Sequence, residues 1–569
     1  MMTHATGNEV NRTRWRRLWG TPWALALLLG GLWYAGPLRG QDGDLQGKVD
    51  APRTVAEASA FARTSTSTEA RAFLDALASQ PHAARLRRSV IGATMEGKPI
   101  ELVTVAEPMP ADEAALLASP RLRIFVNANI HAGEVEGKEA VLQLLREFAQ
   151  GEHAALLEHA VLFFVPVYNG DGNDRIRRSN RTSQNGPDEG VGERENAAGL
   201  DLNRDFMKLE SPEARALVPL LARLDPHLFL DLHTTNGTDH GYALTYATSL
   251  VPSLDPELER YAHGTFLPDV SRRVLERHGV HTFDYGNLGR ARADEAPRWQ
   301  TYDHRPRFGT NMLGLRNRLT LLSEAFSYLD FEARIAATRA FVLEAIEVAV
   351  RDRERLRRIT SEADQRVLTE AALPVAIDAD LEPGTPFSLR LQRVREVEVP
   401  LEDGAKGTRR VATGEVRTVD ALAQVRFVAT RDAGLDLALD GAWVIPAPSD
   451  AVLRTLALHG IETRRLERAL HVEDARVFVL RAAPKARRPF QGHLERTFEG
   501  EWRARGADLP VGACIVPRRQ RLARLAAWLL EPESDDSLGT WNFFYAEVDA
   551  ALPRGDDAVF PVWRVTRGL

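Results

Sequence analysis

The sequence predicts an α/β fold: a mainly parallel mixed sheet flanked by helices, followed by a smaller β-rich C-terminal region. Between residues 61 and 354, apolar strand-like runs alternate with helix-like segments, which is typical of a parallel sheet built from strand–helix–strand units. Beyond residue 361, apolar and polar residues alternate over short segments, as in half-buried strands. With 44% hydrophobic and 27% charged residues, the composition is that of a globular protein and argues against wholesale disorder or a multi-span membrane protein.

The individual elements follow from these patterns. Continuous apolar runs predict buried strands at residues 123–127, 161–167, 228–232 and 319–322. Helical spacing predicts helices at residues 137–150, 212–224, 257–278 and 331–360. In the C-terminal region we expect strands within 388–394 and 411–428, and short helices at 449–460 and 520–530. Ligand sites in open α/β sheets lie at the carboxyl ends of the strands, so the residues that follow each strand are the first candidates for a functional site.

The chain divides into three predicted segments. Residues 1–40 contain four arginines before an apolar run from Trp23 to Tyr34, which indicates a secretory signal peptide or, if uncleaved, an N-terminal membrane anchor. Residues 55–360 form the predicted α/β domain, and residues 361–569 form the β-rich region of unknown role. We therefore expect an exported protein, periplasmic or secreted, with membrane contact only through the N-terminal segment.

The net charge and the cysteine content limit the classes of partner and of metal site that the chain could have. The net charge of −6 gives no reason to expect a nucleic-acid partner. A single cysteine, Cys514, excludes an intramolecular disulfide framework and any cysteine-rich zinc or iron–sulfur site. Any metal would have to be bound by histidine and carboxylate side chains.

Such side chains gather after the predicted strands. The first strand runs into His131 and Glu134, spaced so that both can turn toward one point, and the strand at 228–232 runs into His233. Two imidazoles and one carboxylate suit Zn²⁺ and leave a fourth position open, as in catalytic zinc sites. Glu324 ends the last strand, where it could take a proton from water. The pair Asn203-Arg204 could clamp a carboxylate.

A histidine and a glutamate three residues apart are weak evidence alone. A second such pair, His459 and Glu462, occurs in the C-terminal region. It lies at a predicted helix end with Gly460 as the C-cap, so we interpret it as structural. The first pair, His131 and Glu134, differs because His233 and Glu324 also lie at the ends of predicted strands.

Taken in order, these motifs resemble the zinc carboxypeptidase family of metallopeptidases (family M14). The stretches that carry the resemblance are Asn129-Ile-His-Ala-Gly-Glu134, Asn169-Gly-Asp-Gly172, Asp201-Leu-Asn-Arg-Asp205, Asp231-Leu-His233 and Ser323-Glu324. It covers about residues 60–350. The stretches Asn180–Pro187, Pro306–Phe308, Arg316–Arg318, Gly441–Pro446 and Leu529–Asp536 further resemble an exported bacterial branch of the family that has an extra C-terminal region.

The resemblance implies a role for each residue. His131, Glu134 and His233 would bind one zinc ion per chain, and Glu324 would be the general base. Asn203 and Arg204 would hold the free α-carboxylate of the substrate, and Asp201 would orient the first zinc histidine. An arginine upstream of Asn203 would stabilise the oxyanion. We favour Arg181 for this role, with Arg178 as the alternative.

Two features of the family do not map cleanly. The family's Asn-Pro-Asp-Gly motif has Gly170 in place of proline. Its substrate-capping tyrosine falls, by spacing alone, on Tyr302, where the surrounding residues do not match. Arg307 and Arg316 could form an anionic subsite or have a structural role.

Three functions compete at this point. The first is a zinc-dependent metallocarboxypeptidase that hydrolyses the C-terminal amide bond of peptides. The second is a zinc-dependent amidase or deacylase that acts on carboxylate-bearing non-peptide or cell-wall-derived amides. The third is a catalytically inactive binding protein, which would require the loss of a metal ligand or of the base; the sequence retains all of them.

Overall fold

The computed structural model describes residues 51–235, 237–289 and 296–569. The predicted signal or anchor segment therefore lies outside the described residues. Strands of the N-terminal part are β1 (Leu86–Ala93), β2 (Pro99–Val105), β3 (Leu122–Ala128), β4 (Ala160–Val165), β5 (Leu228–Thr234), β6 (Leu244–Ala247), β7 (Thr282–Asp284), β8 (Asn287–Leu288), β9 (Arg298–Gln300) and β10 (Leu319–Ala325). Its helices are α1 (Val55–Ala58), α2 (Ser67–Ala76), α3 (Glu113–Ala118), α4 (Glu136–Ala149), α5 (Ala154–Leu157), α6 (Gly170–Asp174), α7 (Pro212–Leu224), α8 (Pro256–Tyr261), α9 (Leu267–His278), α10 (Gly309–Leu315), α11 (Phe331–Arg351) and α12 (Arg353–Thr369).

An eight-stranded mixed sheet organises this part, with strand order β1-β2-β4-β3-β5-β10-β6-β7. The central strands β4, β3, β5 and β10 are parallel, so their carboxyl ends meet at one edge. The outer strands β1 and β2 form an antiparallel hairpin that our strand prediction did not include. Strand β1 is largely exposed and therefore lacks the continuous apolar run of a buried strand. The predicted mixed α/β sheet is confirmed.

The predicted helices are present, with two interruptions. The segment predicted as one helix at 257–278 contains a π-helical turn, Ala262–Phe266, between α8 and α9. The segment predicted as one helix at 331–360 is divided, because α11 ends at Arg351 and α12 begins at Arg353. At the division, the Asp352 carboxylate accepts hydrogen bonds from Tyr261 Oη (3.1 Å) and Arg351 Nε (2.7 Å). Side-chain bonds of this kind compete with helix continuation.

The C-terminal region is β-rich, as predicted. Its strands are β11 (Ala376–Leu381), β12 (Thr385–Pro400), β13 (Lys406–Gln424), β14 (Phe427–Asp432), β15 (Ala442–Ile445), β16 (Arg464–Arg465), β17 (Leu470–Val472), β18 (Ala475–Ala482), β19 (Glu499–Ala504), β20 (Ala507–Leu509), β21 (Cys514–Pro517) and β22 (Val559–Val565). A long hairpin, β12–β13, extends the small sheet formed by β8 and β9. A six-stranded sheet has the order β16-β21-β15-β22-β18-β19, and β11–β14 and β17–β20 form two-stranded sheets. The helices are α13 (Asp450–Leu458), α14 (Ala523–Leu530) and α15 (Tyr545–Ala551).

The hydrophobic core joins the two regions. One face of the main sheet packs against α4, α9 and α11. On the other face, Phe229 and Met312 belong to the same buried cluster as Trp443 and Trp528 of the C-terminal region. Residues 51–569 accordingly form one compact unit. Among the described residues, no helix combines the length and the apolar character needed to cross a bilayer.

Candidate active site

The three predicted metal ligands converge at the carboxyl edge of the sheet. His131 and Glu134 lie in the turn between β3 and α4, and His233 is the next-to-last residue of β5. His131 Nδ1 is 3.1 Å from Glu134 Oε1 and 3.1 Å from His233 Nδ1, and His233 Nδ1 is 3.0 Å from Glu134 Oε2. All three residues are buried. Adjacent parallel strands bring them together, although about 100 residues separate His233 from the other two.

The remote nitrogens of both imidazoles face carboxylates. His131 Nε2 lies 3.1 Å from Asp201 Oδ1, and His233 Nε2 lies 3.1 Å from Asp231 Oδ2. This arrangement favours a proton on each Nε2, which leaves the two Nδ1 lone pairs pointing at one place beside a carboxylate. Three electron-rich atoms this close repel one another unless a cation lies between them. The donor set therefore fits a zinc ion.

The pKa shifts of His233 and Glu134 are those of a site that attracts positive charge. Burial alone would lower the pKa of His233, but Asp231 and Glu134 raise it well above its ordinary value. Burial alone would raise the pKa of Glu134, but His131 and Arg181 hold it well below the usual range. The surroundings of His233 and Glu134 thus favour positive charge at this buried site, as a site for a metal cation would.

Glu324 lies beside this cluster. It is the next-to-last residue of β10, and its Cα is paired in register with that of His233 on β5. Its side chain lines the same pocket as His131, Glu134 and His233. Burial in the pocket raises the pKa of Glu324 to about 8, His233 opposes this rise and Glu134 adds to it. A carboxyl group whose pKa lies near neutrality is suited to both accepting and returning a proton.

Asp201 positions two parts of the site: His131 and the predicted carboxylate clamp formed by Asn203 and Arg204. Its Oδ1 accepts a hydrogen bond from the Asn203 backbone N–H (2.9 Å) and so caps the short 3₁₀ turn Leu202–Arg204. The Arg204 guanidinium stacks on Phe308, with Cζ 3.9 Å from the ring centroid, and its Nη1 donates to the Asn203 carbonyl (2.8 Å). Both Asn203 and Arg204 line the pocket. Burial lowers the pKa of Arg204, a sign that its charge is not fully compensated.

The two arginines considered for the oxyanion lie in different surroundings. Arg181 Nη1 donates to Glu134 Oε1 (2.8 Å), at the edge of the metal cluster. Its backbone has a positive φ of 50°, and an added Cβ on Gly133 would lie 2.5 Å from its Cδ. A left-handed arginine against an obligatory glycine is a strained arrangement typical of functional sites. Arg178 instead donates from Nε to the Asp188 carbonyl (3.2 Å).

A third arginine, Arg194, was not among the predicted residues. It lines the pocket, its Nε and Nη2 donate to Asp201 Oδ2 (3.1 and 2.8 Å), and its Nη1 is 3.6 Å from Glu134 Oε1. It therefore buttresses both Asp201 and the metal cluster. Its position in a loop of irregular structure gave no periodic signal that could have identified it.

The remaining predicted residues are distributed as follows. Tyr302 lines the pocket, and its hydroxyl lies 2.9 Å from Thr310 Oγ1; Tyr285, which we did not predict, also lines the pocket and packs edge-on against it. Arg316 is buried and donates to the His459 carbonyl, a structural role. The second His–Glu pair is also structural, because His459 Nε2 lies 3.0 Å from the Met207 carbonyl oxygen.

The turn at residues 169–172, where Gly170 replaces the family's proline, still supports the segment that carries His131. Asn169 caps α6, accepting the Gly172 N–H (3.0 Å), and its Nδ2 donates to the Ile130 carbonyl (3.3 Å) immediately before His131. Glycine in place of the family's proline at position 170 leaves this turn formed.

The pocket has a volume of about 690 Å³ and reaches into the C-terminal region. Its far wall is made by Asp303, Arg305, Arg307 and Phe308, and by Phe490 and Glu495 from beyond residue 361. Arg307 is buried between these parts: its Nε donates to Asp536 Oδ1 (2.9 Å) and its Nη1 lies 2.9 Å from Glu495 Oε1. No local sequence pattern linked Phe490 or Glu495 to the catalytic motifs.

Comparison with known proteins supports the resemblance found in the sequence. A family model described as zinc carboxypeptidase matches residues 70–265, a stretch that contains the three candidate ligands. Together with the carboxypeptidase relatives described below, this match identifies the protein as a metallopeptidase, a hydrolase. His131, Glu134 and His233 are the group that could hold the metal.

Related proteins extend the comparison. Carboxypeptidase 2 of Trichophyton tonsurans is 22% identical over 457 residues, covering 79% of this chain and 77% of that protein. This match is longer than the predicted catalytic segment 55–360, so it includes residues outside it. Carboxypeptidase D of Rattus norvegicus is 29% identical over 173 residues, covering 26% of this chain and 12% of that protein. Among solved structures, a metallo-carboxypeptidase from Burkholderia cenocepacia is 18% identical, with a TM-score of 0.38 over 51% of this chain and 70% of that one.

Proposed function

We propose that this metallopeptidase is a metallocarboxypeptidase that removes the C-terminal residue of peptides, with one zinc ion bound by His131, Glu134 and His233. The observation that carries the proposal is the convergence of two imidazole Nδ1 atoms and one carboxylate, each pair about 3 Å apart, in a pocket that also contains Glu324 and Arg204. A zinc ion held there would act as a Lewis acid that makes water nucleophilic at neutral pH and polarises the scissile carbonyl.

The chain's own groups supply the remaining steps. Glu324 takes one proton from the attacking water and delivers it to the departing amine as the C–N bond breaks. Arg181 donates hydrogen bonds to the carbonyl oxygen as it gains negative charge. Asp201 and Asp231 hold the two imidazoles in the tautomer that presents Nδ1 to the metal.

Substrate orientation falls to the carboxylate clamp. Arg204 and Asn203 bind the free α-carboxylate, so that the preceding amide bond lies toward Glu324 and the metal ligands. Tyr302 covers the bound residue. Among the described residues, no hydrogen bond occupies Arg204 Nε or Nη2, so these donors are open to a substrate.

The decisive test compares Glu324→Gln with the wild type. We expect the variant to retain one zinc per chain, measured by atomic emission, while release of C-terminal residues from a peptide pool falls by about 10²–10⁴-fold, the usual contribution of a general base. Glu332→Gln, which alters an exposed carboxylate on α11, serves as the matched control. Wild-type turnover in Glu324→Gln would contradict the proposed role.

The same assay addresses the amidase or deacylase alternative. N-acyl amino acids also carry a free carboxylate and would engage Arg204 equally. Faster hydrolysis of such compounds than of peptides would identify them as the substrate class. We further propose export of the protein on the strength of residues 1–40, which a fractionation experiment on the full-length chain would test.

A further inference from the structure

A loop of the C-terminal region forms part of the substrate pocket. This pocket loop, residues 484–497, folds back on itself: Ala486 N–H donates to the Glu495 carbonyl (2.7 Å), and Phe490 and His493 exchange backbone hydrogen bonds (2.8 and 2.9 Å). Its tip, Gln491-Gly492, has positive φ at both residues (50° and 82°), as a tight hairpin turn requires. The side chains of Phe490 and Glu495 line the catalytic pocket.

The loop is fixed to the catalytic machinery at its tip. Gln491 Oε1 accepts the backbone N–H of Asp201 (2.9 Å), the residue that holds His131 and caps the Asn203-Arg204 turn. His493 Nε2 lies 2.8 Å from Glu210 Oε2. At its base, Arg496 is buried and pairs with Asp549 (2.8 Å) inside the C-terminal region. A loop tied down at both ends presents its side chains in a defined position.

The wall that this loop completes adjoins the carboxylate clamp. Arg204 stacks on Phe308, and Phe308 follows Arg307, which lies 4.6 Å from the Trp541 ring centroid and 5.4 Å from that of Phe490. A substrate whose carboxylate is held by Arg204 therefore has its C-terminal side chain next to this wall.

The wall carries more negative than positive charge. Arg305 is paired with Asp303 (2.9 Å) and Asp535 (2.5 Å), and Arg307 is paired with Asp536 and Glu495 (2.9 Å each). Two guanidinium groups thus face four carboxylates. Asp536 is fully buried. Asp303 and Glu495 both line the pocket, with 33% and 29% of their side chains exposed, and Glu495 is the one that the pocket loop supplies.

We propose that the pocket loop is a specificity element of the enzyme and that Glu495 favours substrates whose C-terminal residue has a cationic side chain. The inference rests on the proposed carboxypeptidase function. It assigns to the C-terminal region a direct part in substrate selection, because this region supplies Phe490 and Glu495 to one wall of the pocket.

The test measures kcat/KM of the zinc-loaded full-length enzyme on blocked dipeptides that end in Lys, Leu or Glu. We expect the wild type to prefer Lys over Leu and Leu over Glu. Glu495→Gln should reduce the Lys-to-Leu ratio of kcat/KM about tenfold, equivalent to about 1.4 kcal/mol. Glu495→Asp, which keeps the charge, should restore part of the preference, and Glu499→Gln, on the exposed side of β19, should leave the ratio unchanged.

Binding measurements separate this inference from the proposed function. Calorimetric affinities of the same dipeptides for the Glu324→Gln variant, with and without Glu495→Gln, should show the same tenfold change without turnover. An equal Lys-to-Leu ratio with and without Glu495, or a wild-type preference for Glu, would overturn the inference. If the wild type releases no C-terminal residue from any peptide, the proposed function fails, while the affinity ratio still decides the role of Glu495.

Discussion

Replacement of Arg204 by methionine provides a quantitative test of the carboxylate clamp. Methionine preserves much of the side-chain length and the packing on Phe308 but removes the charge. In the structure Arg204 Nη1 donates a hydrogen bond to the Asn203 carbonyl. Its nearest carboxylate oxygen, Asp201 Oδ2, lies 3.8 Å from Nη1, so the charge of the guanidinium is only partly compensated. A substrate carboxylate would complete the compensation.

The size of the effect follows from this geometry. Two unit charges at 4 Å interact by about 4 kcal/mol at an effective dielectric constant of about 20. Desolvation of the substrate carboxylate offsets part of this energy, and truncation of one partner in comparable buried pairs costs about 2–5 kcal/mol. We therefore expect a loss of about 3 kcal/mol, which corresponds to a decrease in kcat/KM on the order of 100-fold.

The assay is a double cycle between enzyme and substrate. Wild type and Arg204→Met are each measured on a peptide with a C-terminal carboxylate and on the same peptide with a C-terminal carboxamide. The substitution should cost about 100-fold on the carboxylate and only a few-fold on the carboxamide. Arg223→Met removes an exposed guanidinium from α7 and should change neither rate. Equal losses on both peptides would refute a direct contact between Arg204 and the substrate carboxylate.

Three further predictions concern metal binding and stability. Asp201→Asn should weaken zinc affinity about 10–100-fold in a competition titration with a chelator, because the carboxylate that orients His131 is lost; unchanged affinity would exclude that role. A chain truncated at residue 360 should fail to fold into a soluble monomer, because Phe229 and Met312 share one buried cluster with Trp443 and Trp528; a cooperative thermal transition in the truncated chain would contradict this. Burial lowers the pKa of His227 to about 3, and its Nδ1 accepts the Arg123 N–H, so the fold requires the neutral imidazole. The contribution of the neutral imidazole to stability is complete above pH 6.5 and is lost as the pH falls toward 3, by about 1.4 kcal/mol per pH unit. The free energy of unfolding, measured with denaturant, should therefore depend less on pH in this range in the His227→Gln variant than in the wild type.

The agreement between prediction and structure is greatest for the central strands and the helices that pack on them. Strands β3, β5 and β10 are mainly apolar and almost completely buried, and α7 coincides with its predicted bounds. Burial of a strand and amphipathicity of a helix both leave a pattern in consecutive residues. The hairpin β1–β2 and the division of the helix at Asp352 were missed. Strand β1 of the hairpin is largely exposed and so lacks an apolar run. The division of the helix depends on a hydrogen bond from Tyr261, a residue distant in the sequence.

The sequence by itself determined the parallel sheet, the three candidate metal ligands, Glu324 and the Asn203-Arg204 pair, because each is marked by its position at the end of an apolar strand or within a short motif. Only the tertiary structure decided what surrounds them. It brought Asp231 and Arg194 against the ligands, separated Arg181 from Arg178, and closed the pocket with Phe490 and Glu495. The physical reason is that periodicity and motif spacing report local backbone geometry. The wall of a pocket depends instead on contacts between segments hundreds of residues apart, here made through the common core of the two regions.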